Sequence, residues 1–387
     1  MSIPKPRKII AVNARFLLKD LEGIGRFTAE ILKRITTQHP EYQFIFFFDR
    51  PYEKKYLFSD NIIPVVLSPP ARHPFLWYIW FEWAIPRALK QYKADVFLST
   101  DGHGSLRTNV PTVLVMHDLA FEHFPEQIPF LPRRFLQYFA PKYAEKAQHI
   151  ATVSNYSKQD LVKRYGISPS KITVTYNAAS NIFQPIGDPK KKAEIQAQYA
   201  QGQEYFLFVG AIHPRKNLSR LLAAFDSFKK RTGASTKFLI AGRKAWNSDD
   251  ALKTYENMAF QEEVVFLGRL NLSVLIEVIG SALALTFPSV FEGFGLPVLE
   301  AMHCDVPVIT SNVSSMPEVA GEAALLVNPF EVESMAAALC KMHEQPEIKQ
   351  QLIEKGRLQR LKFSWQNSAD ELWRQILKVL SVNDGEG

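Results

Sequence analysis

Phe-Pro-Ser-Val-Phe-Glu-Gly-Phe-Gly-Leu-Pro-Val-Leu-Glu, residues 287–300, sets two carboxylates, Glu292 and Glu300, on either side of a glycine-flanked turn. A short apolar run, Ala284 to Phe287, precedes the turn, and an apolar helical stretch follows it, so the segment reads as strand, loop, helix. Proline has no N–H to lose at a first helical position, which predicts a helix starting at Pro297, with Glu292 on the loop and Glu300 on the first turn. Gly293 and Gly295 let the backbone approach a ligand without a Cβ, and the N–H groups of a helix start carry partial positive charge suited to a diphosphate. A bare turn between a strand and a core helix needs no ligand. Acids on a loop beside an exposed helix start are poor packing choices, however, and favour a site for a nucleotide sugar.

Working outward, the same unit repeats along the chain. Ile9 to Val12 reads as a buried strand, followed by a loop from Asn13 to Gly25 and a helix from about Arg26 to Thr37. Phe44 to Phe48, Val96 to Ser99, Thr112 to Met116, His149 to Val153 and Ile172 to Tyr176 are short and continuously apolar, as buried parallel strands are. A polar, lysine-rich stretch, Gly187 to Gly202, reads as a connection. The pattern then restarts with Tyr205 to Val209, Phe238 to Ala241, Val264 to Phe266, Ala284 to Phe287, Val308 to Thr310 and Ala324 to Val327. Alternation twice over predicts an α/β protein of two doubly wound domains, residues 1–186 and 187–363, with ligand in a crevice at the carboxyl ends of the strands, between the halves.

Val209 to Asn217 ends one of these strands and leads into a helix with Leu218, Leu221, Leu222 and Phe225 on its apolar side. Arg215 and Lys216 therefore sit on a strand-to-helix loop, where cations oppose the helix dipole and mere solvation of the helix start is a poor explanation. Fixed cations beside a departing diphosphate stabilise its growing charge most in the transition state. His117 and Asp118 follow Val113 to Met116, at another strand's carboxyl end. His103, in Asp101-Gly102-His103-Gly104, is either an acceptor-positioning residue or a structural loop residue. Gly23-Ile24-Gly25-Arg26 is either a phosphate-facing loop or plain turn chemistry. Arg15 and Arg26 are further candidates for touching an anion.

Read with Ala301 to Ser311, the opening segment resembles the Glu-x7-Glu signature of the family 4 glycosyltransferases. The resemblance extends over nearly the whole chain, through Gly23 to Gly25, His117-Asp118, Thr152 to Ser154 and Gly210 to Asn217. It implies the GT-B arrangement of two Rossmann-like domains, with the last helix, about Trp365 to Leu380 within residues 364–387, crossing back onto the first domain. It also implies that Glu292 faces the donor sugar, that Glu300 holds the ribose, and that the backbone of Gly293, Phe294, Gly295 and Leu296 binds sugar hydroxyls and phosphate. His117 would contact the donor sugar, and Gly23 and Gly25, with Asp118 and His103, would line the phosphate and acceptor side. Gly210 belongs to the donor loop, and Leu267 to Leu270, with Leu267 and Gly268 foremost, after the strand Val264 to Phe266, to the base pocket. One departure stands out: many members carry arginine directly after the glycine where this chain has Ala211, so Arg215 stands as its substitute or the diphosphate is held differently.

The resemblance implies a retaining hexosyltransferase of polysaccharide synthesis. His117-Asp118-Leu119 and Pro214 to Asn217 resemble its bacterial mannosyltransferase branch, with GDP-mannose the favoured donor and UDP-glucose and UDP-N-acetylglucosamine left open. A sugar-nucleotide epimerase on the same fold and a non-catalytic nucleotide-sugar-binding protein are the competing classes. No Asp-x-Asp pair occurs, so a divalent-metal clamp has no obvious ligands and no cofactor is expected.

Composition bounds the rest. The 387 residues, 47% hydrophobic and 22% charged, are long enough for two cored domains. Two cysteines, Cys304 and Cys340, exclude a disulfide scaffold and lack metal-type spacing. The basic start, Met1 to Lys8, precedes only a strand-length apolar run, so a cytoplasmic location is expected. A net charge of +7 suits any anionic partner, but no nucleic-acid module is present. The aromatics of Arg72 to Tyr92 (Phe75, Trp77, Tyr78, Trp80, Phe81, Trp83) and of Pro125 to Lys146, mixed with Arg133 and Arg134, fit either a peripheral contact with the inner face of a membrane, reaching a lipid-linked acceptor, or the first domain's core.

Overall fold

Runs of four to six apolar residues that are covered on both faces have no reason to alternate, and such runs build both sheets of this protein. The computed structural model describes residues 7–18, 21, 23–243 and 249–384. The chain divides into two compact units, Met1–Asn177 together with Ser364–Gly387, and Ala178–Phe363.

In the first unit, β1 (Ile9–Asn13), β2 (Gln43–Phe48), β3 (Ile62–Val66), β4 (Val96–Ser99), β5 (Thr112–Met116), β6 (His149–Thr152) and β7 (Ile172–Val174) form one sheet in the order β3-β2-β1-β4-β5-β6-β7. Every pairing is parallel. In the second unit, β8 (Tyr205–Val209), β9 (Lys237–Ala241), β10 (Val264–Gly268), β11 (Ala284–Phe287), β12 (Val308–Ser311) and β13 (Ala324–Val327) pair in the order β10-β9-β8-β11-β12-β13, again parallel. Both are doubly wound, Rossmann-like sheets. The strand order reverses between β1 and β4 in one and between β8 and β11 in the other, and the carboxyl ends at such a reversal are where this architecture places ligands.

The last helix, Trp365–Asp384, belongs to the first unit, as expected. Its Trp365 ring lies 6.1 Å from Phe27, Trp373 stacks on His39 at 4.0 Å, and Ser368 Oγ donates to the Tyr176 carbonyl at 2.6 Å.

Three readings of the sequence change. The first helix runs Gly23–Gln38, so Gly23 and Gly25 lie in its first turn and not on a loop before it. A Cβ on Gly25 would stand 2.6 Å from the Phe16 carbonyl, so this glycine lets the helix approach the preceding turn. The remainder of the expected loop, Lys19, Asp20 and Glu22, falls outside the described residues, as does the basic start Met1–Pro6. The lysine-rich stretch is a helix, Pro189–Ala200, capped by Asp188 accepting from the Lys190 N–H and tied to the neighbouring helix by Lys191–Glu277 at 2.5 Å. The boundary between units falls at Asn177/Ala178, where the sequence placed it at 186/187. Ile186 packs on Gly280, which draws that segment into the second unit.

Candidate functional site

The loops after β8 and β11 meet, and each brings a charge. Gly210 follows β8 with φ +147°, its N–H donating to the Ala241 carbonyl at 2.9 Å. His213 then opens a single tight turn, Pro214–Lys216, by accepting the Arg215 N–H on Nδ1 at 3.3 Å. Asn217 closes the turn with φ +63°. Its buried Nδ2 donates to the Pro288 carbonyl at 3.1 Å and the Pro329 carbonyl at 2.6 Å, tying together the loops after β8, β11 and β13. The helix Leu218–Thr232 departs from here with Leu218, Leu221, Leu222 and Phe225 buried.

Held this way, Lys216 Nζ donates to Glu292 Oε1 at 2.5 Å and lies 4.7 Å from the centre of the Phe287 ring. The two side chains are 19% and 12% exposed, so the pair is largely withdrawn from water. Arg215 Nη1 donates to the Phe291 carbonyl at 3.4 Å, and the Val290 N–H donates to the Arg215 carbonyl at 2.8 Å. The backbone of Glu292 is pinned as well: its N–H donates to Ser314 Oγ at 3.2 Å, and Ser315 Oγ donates to the carbonyls of Glu292 at 2.9 Å and Phe294 at 3.0 Å. Burial by itself would push the Glu292 carboxyl up. The Lys216 ammonium and Arg215 guanidinium outweigh it and hold the group below the usual carboxylate range, as an anion. The same cations, after burial, lower the His213 imidazole against the pull of Glu292, which keeps it neutral and its Nδ1 an acceptor.

Beyond Glu292, Phe294 is buried against Phe363, with ring centres 5.5 Å apart. Gly295 has φ +100°, and a Cβ there would sit 2.3 Å from Met316 Cε. The helix runs Leu296–His303, with Gly295 as its N-cap and Pro297 at its second position, so Glu300 falls on the second turn and not the first. Proline is tolerated there because the second N–H of a helix also lacks an internal partner. Glu300 is 4% exposed. Gly268, φ +66°, ends β10 after Leu267, and its carbonyl accepts the Gly242 N–H at 2.8 Å, which joins the expected base-pocket loop to the loop after β9.

The β1/β4 reversal of the first unit also holds an ion pair. Arg15 Nε donates to Asp101 Oδ2, and Arg15 Nη2 lies 3.2 Å from His103 Nδ1. Burial opposes ionisation of Asp101, yet Arg15 and then His103 keep its carboxyl well below the usual range. Rings of Trp77, Phe81 and Phe135 surround His103, 5.0 to 6.0 Å away. His117 stands at the end of β5, where Nε2 donates to the Thr100 carbonyl at 2.9 Å and the ring meets Phe27 edge-on at 5.0 Å. Burial lowers its pKa against the opposing Thr100 carbonyl, Asp118 and Asp101, so His117 is neutral with Nδ1 left as an acceptor. Asp118 Oδ1 accepts the Ala120 N–H at 2.9 Å and so opens a short helical turn.

The structure thus brings Arg215, Lys216 and Glu292 together, with Gly210 against the Lys216 stem, and places His103 and His117 on strand ends of the other unit. Sequence reasoning gave no role to His213, Asn217, Gly242, Ser314 or Ser315. Of these only His213 carries a local signal, a His-Pro-x pattern that occurs three times in the chain; at a second occurrence His73 Nδ1 likewise accepts the Phe75 N–H at 3.3 Å.

Comparison with known proteins agrees with this fold. Residues 190–359 match the family described as glycosyl transferases group 1, and residues 21–180 match glycosyltransferase family 4. The chain is 27% identical over 358 residues to the O-antigen chain mannosyltransferase B of Escherichia coli, covering 90% of this chain and 93% of that protein. It is 26% identical over 300 residues to the O-antigen chain mannosyltransferase RfbU of Salmonella typhimurium, covering 76% and 80%. In fold it is similar to the Anabaena protein HepE, solved in complex with UDP and glucose, with a TM-score of 0.72 over 97% of this chain and 100% of that one at 15% identity.

Proposed function

Because this chain belongs to the group 1, family 4 glycosyltransferases, we propose that it transfers a hexose from a nucleoside diphosphate sugar to a hydroxyl of a carbohydrate or glycolipid. The likeness to O-antigen mannosyltransferases supports mannose as the sugar and cell-surface polysaccharide synthesis as the setting, and GDP-mannose is the donor this reading favours. The observation that carries the reading is the Lys216–Glu292 contact at the β8/β11 reversal, a cation for phosphate beside a carboxylate for sugar hydroxyls.

In this mechanism the departing diphosphate gains charge in an oxocarbenium-like transition state, and Lys216, Arg215 and the amides of Gly293 to Leu296 stabilise it. The acceptor proton passes to that diphosphate, and the new bond keeps the anomeric configuration of the old. Glu292 orients the sugar and balances positive charge on its ring without becoming a nucleophile. Glu300 holds the ribose, and the loop of Leu267 and Gly268 meets the base. In the first unit, Nδ1 of His117 is available to a sugar hydroxyl. With Arg215 and Lys216 neutralising the phosphates, no divalent ion is required. The exposed aromatic and basic surface of that unit supports peripheral contact with a cytoplasmic membrane face carrying the acceptor.

A panel of nucleotide sugars in calorimetry, followed by product analysis, tests this. GDP-mannose is expected to bind and, with an acceptor glycolipid, to yield a new glycosidic bond in the presence of EDTA. Lys216→Ala and Glu292→Ala are expected each to lower turnover by about a hundredfold or more. Near-native rates in both variants would refute the assignment, and a free epimerised sugar would favour an epimerase.

A further inference from the structure

One ammonium group in this site is claimed by two anions. On the reading above, Lys216 holds phosphate, yet here its Nζ lies 2.5 Å from Glu292, the carboxylate assigned to the sugar. Both backbones are fixed: Lys216 by the anchored Asn217 beside it, Glu292 by Ser314 and Ser315. An exchange of partners is therefore confined to the side chains, and the four-carbon stem of Lys216, whose ammonium lies 4.7 Å from the centre of the Phe287 ring, is the part with freedom to turn.

We propose that the Lys216–Glu292 contact is a latch that couples occupancy of the diphosphate position to recognition of the sugar. Paired with Lys216, Glu292 has one oxygen committed to an ammonium and offers less to a hexose. When a diphosphate draws the ammonium away, Glu292 loses its charged donor while largely buried, a change that a buried carboxylate resists. Vicinal hydroxyls of a hexose supply neutral donors and bring no second negative charge against the phosphates. Each ligand thus relieves a cost that the other imposes, and since coupling between sites is reciprocal, each must tighten the other's binding by the same factor. The intact donor satisfies both demands at once, which separates it from a bare nucleoside diphosphate.

The inference rests on the proposed function, and calorimetry on the full-length protein separates the two. GDP is titrated with and without saturating mannose, and UDP with and without glucose. In the native protein the matching sugar is expected to lower the diphosphate Kd by about tenfold. In Glu292→Gln, which keeps the shape but replaces the ion pair with at most a weaker neutral hydrogen bond, the diphosphate is expected to bind more tightly than to the native protein, with no further gain from sugar. In Lys216→Met the carboxylate is already released, so sugar binding is expected without any diphosphate. Diphosphate binding that is indifferent to sugar in the native protein overturns the latch and leaves the proposed function standing. Failure of every diphosphate to bind overturns both.

Discussion

An imidazole that accepts a hydrogen bond on Nδ1 does so only while it is neutral, and His213 uses that nitrogen to cap the turn carrying Arg215 and Lys216. Its native pKa lies below the ordinary value, first through burial and then through the two cations, with Glu292 opposing. A depressed histidine contributes stability above its unfolded value near 6.5, and that contribution is lost as pH falls through the lower native value. The cap should therefore release only in acid. Following the ring by NMR, we expect a neutral Nε2–H form at pH 7, a midpoint below 6.5, and an Arg215 amide signal that moves with the same midpoint. An Arg215 amide indifferent to the ring's titration would show that the bond does not hold the turn. Asparagine caps helical turns about as well as any residue whereas alanine loses about 0.5–2 kcal/mol. His213→Asn is thus expected to keep most activity, and His213→Ala to lose about tenfold. The cations themselves were legible in the sequence because two like charges before a helix start fit no packing rule. The residues that aim them were not, since a capping histidine, a left-handed asparagine or a serine that accepts an N–H looks like any loop residue until its partner is placed.

At the scale of elements, the site depends on loops fitting against one another at backbone distance. A Cβ on Gly242, after β9, would stand 1.8 Å from the Gly210 carbonyl at the head of the Lys216 loop, and no side-chain rotation relieves a clash with backbone. Gly242→Ala is therefore expected to push the two loops apart and weaken nucleotide binding at least tenfold, with a lowered melting midpoint. Gly187→Ala, with nothing within 4 Å, is expected to leave both unchanged. Equal nucleotide affinity for the two variants would remove loop contact as the cause. Close approach of this kind leaves no trace in sequence, because a glycine in a turn and a glycine under a carbonyl are the same letter. Buried strands, by contrast, announce themselves through composition, and every expected run formed one. The one not foreseen, β3, contains Pro64, which reads as a breaker but is tolerated on the outermost strand, where its missing N–H faces no neighbour. The helix Pro189–Ala200 was obscured for the opposite reason: it buries only Ile195 and Ala200, and so lacks the apolar stripe by which helices are recognised.

For the molecule as a whole, the aromatic-rich segments of the first unit divide between interior and surface. Trp80, Phe81 and Tyr143 are core, whereas Phe75, Phe130 and Trp83 are 66%, 63% and 53% exposed, joined by Leu131 and Tyr138. Cations accompany these exposed rings: the Arg107 guanidinium lies 3.8 Å from the centre of Trp83, Lys142 Nζ 3.5 Å from Tyr138, and Arg133 5.6 Å from Phe130. Large apolar groups held in water beside positive charge are the elements of an interfacial membrane contact, and no described helix is long and apolar enough to cross a bilayer. Inserting a side chain of this size removes enough apolar surface from water to stabilise the bound state by about 1.5–3 kcal/mol, and each juxtamembrane cation adds about 1 kcal/mol near an anionic surface. Flotation with phosphatidylglycerol vesicles is thus expected to carry the protein upward at low salt, less at high salt, and hardly at all with phosphatidylcholine. Phe130→Ser with Leu131→Ser should reduce the floated fraction at least tenfold in effective affinity, while leaving nucleotide binding in the other unit intact. Retention of full vesicle binding by that double variant would place the contact elsewhere on the surface, and absence of binding to anionic vesicles by the native protein would remove it.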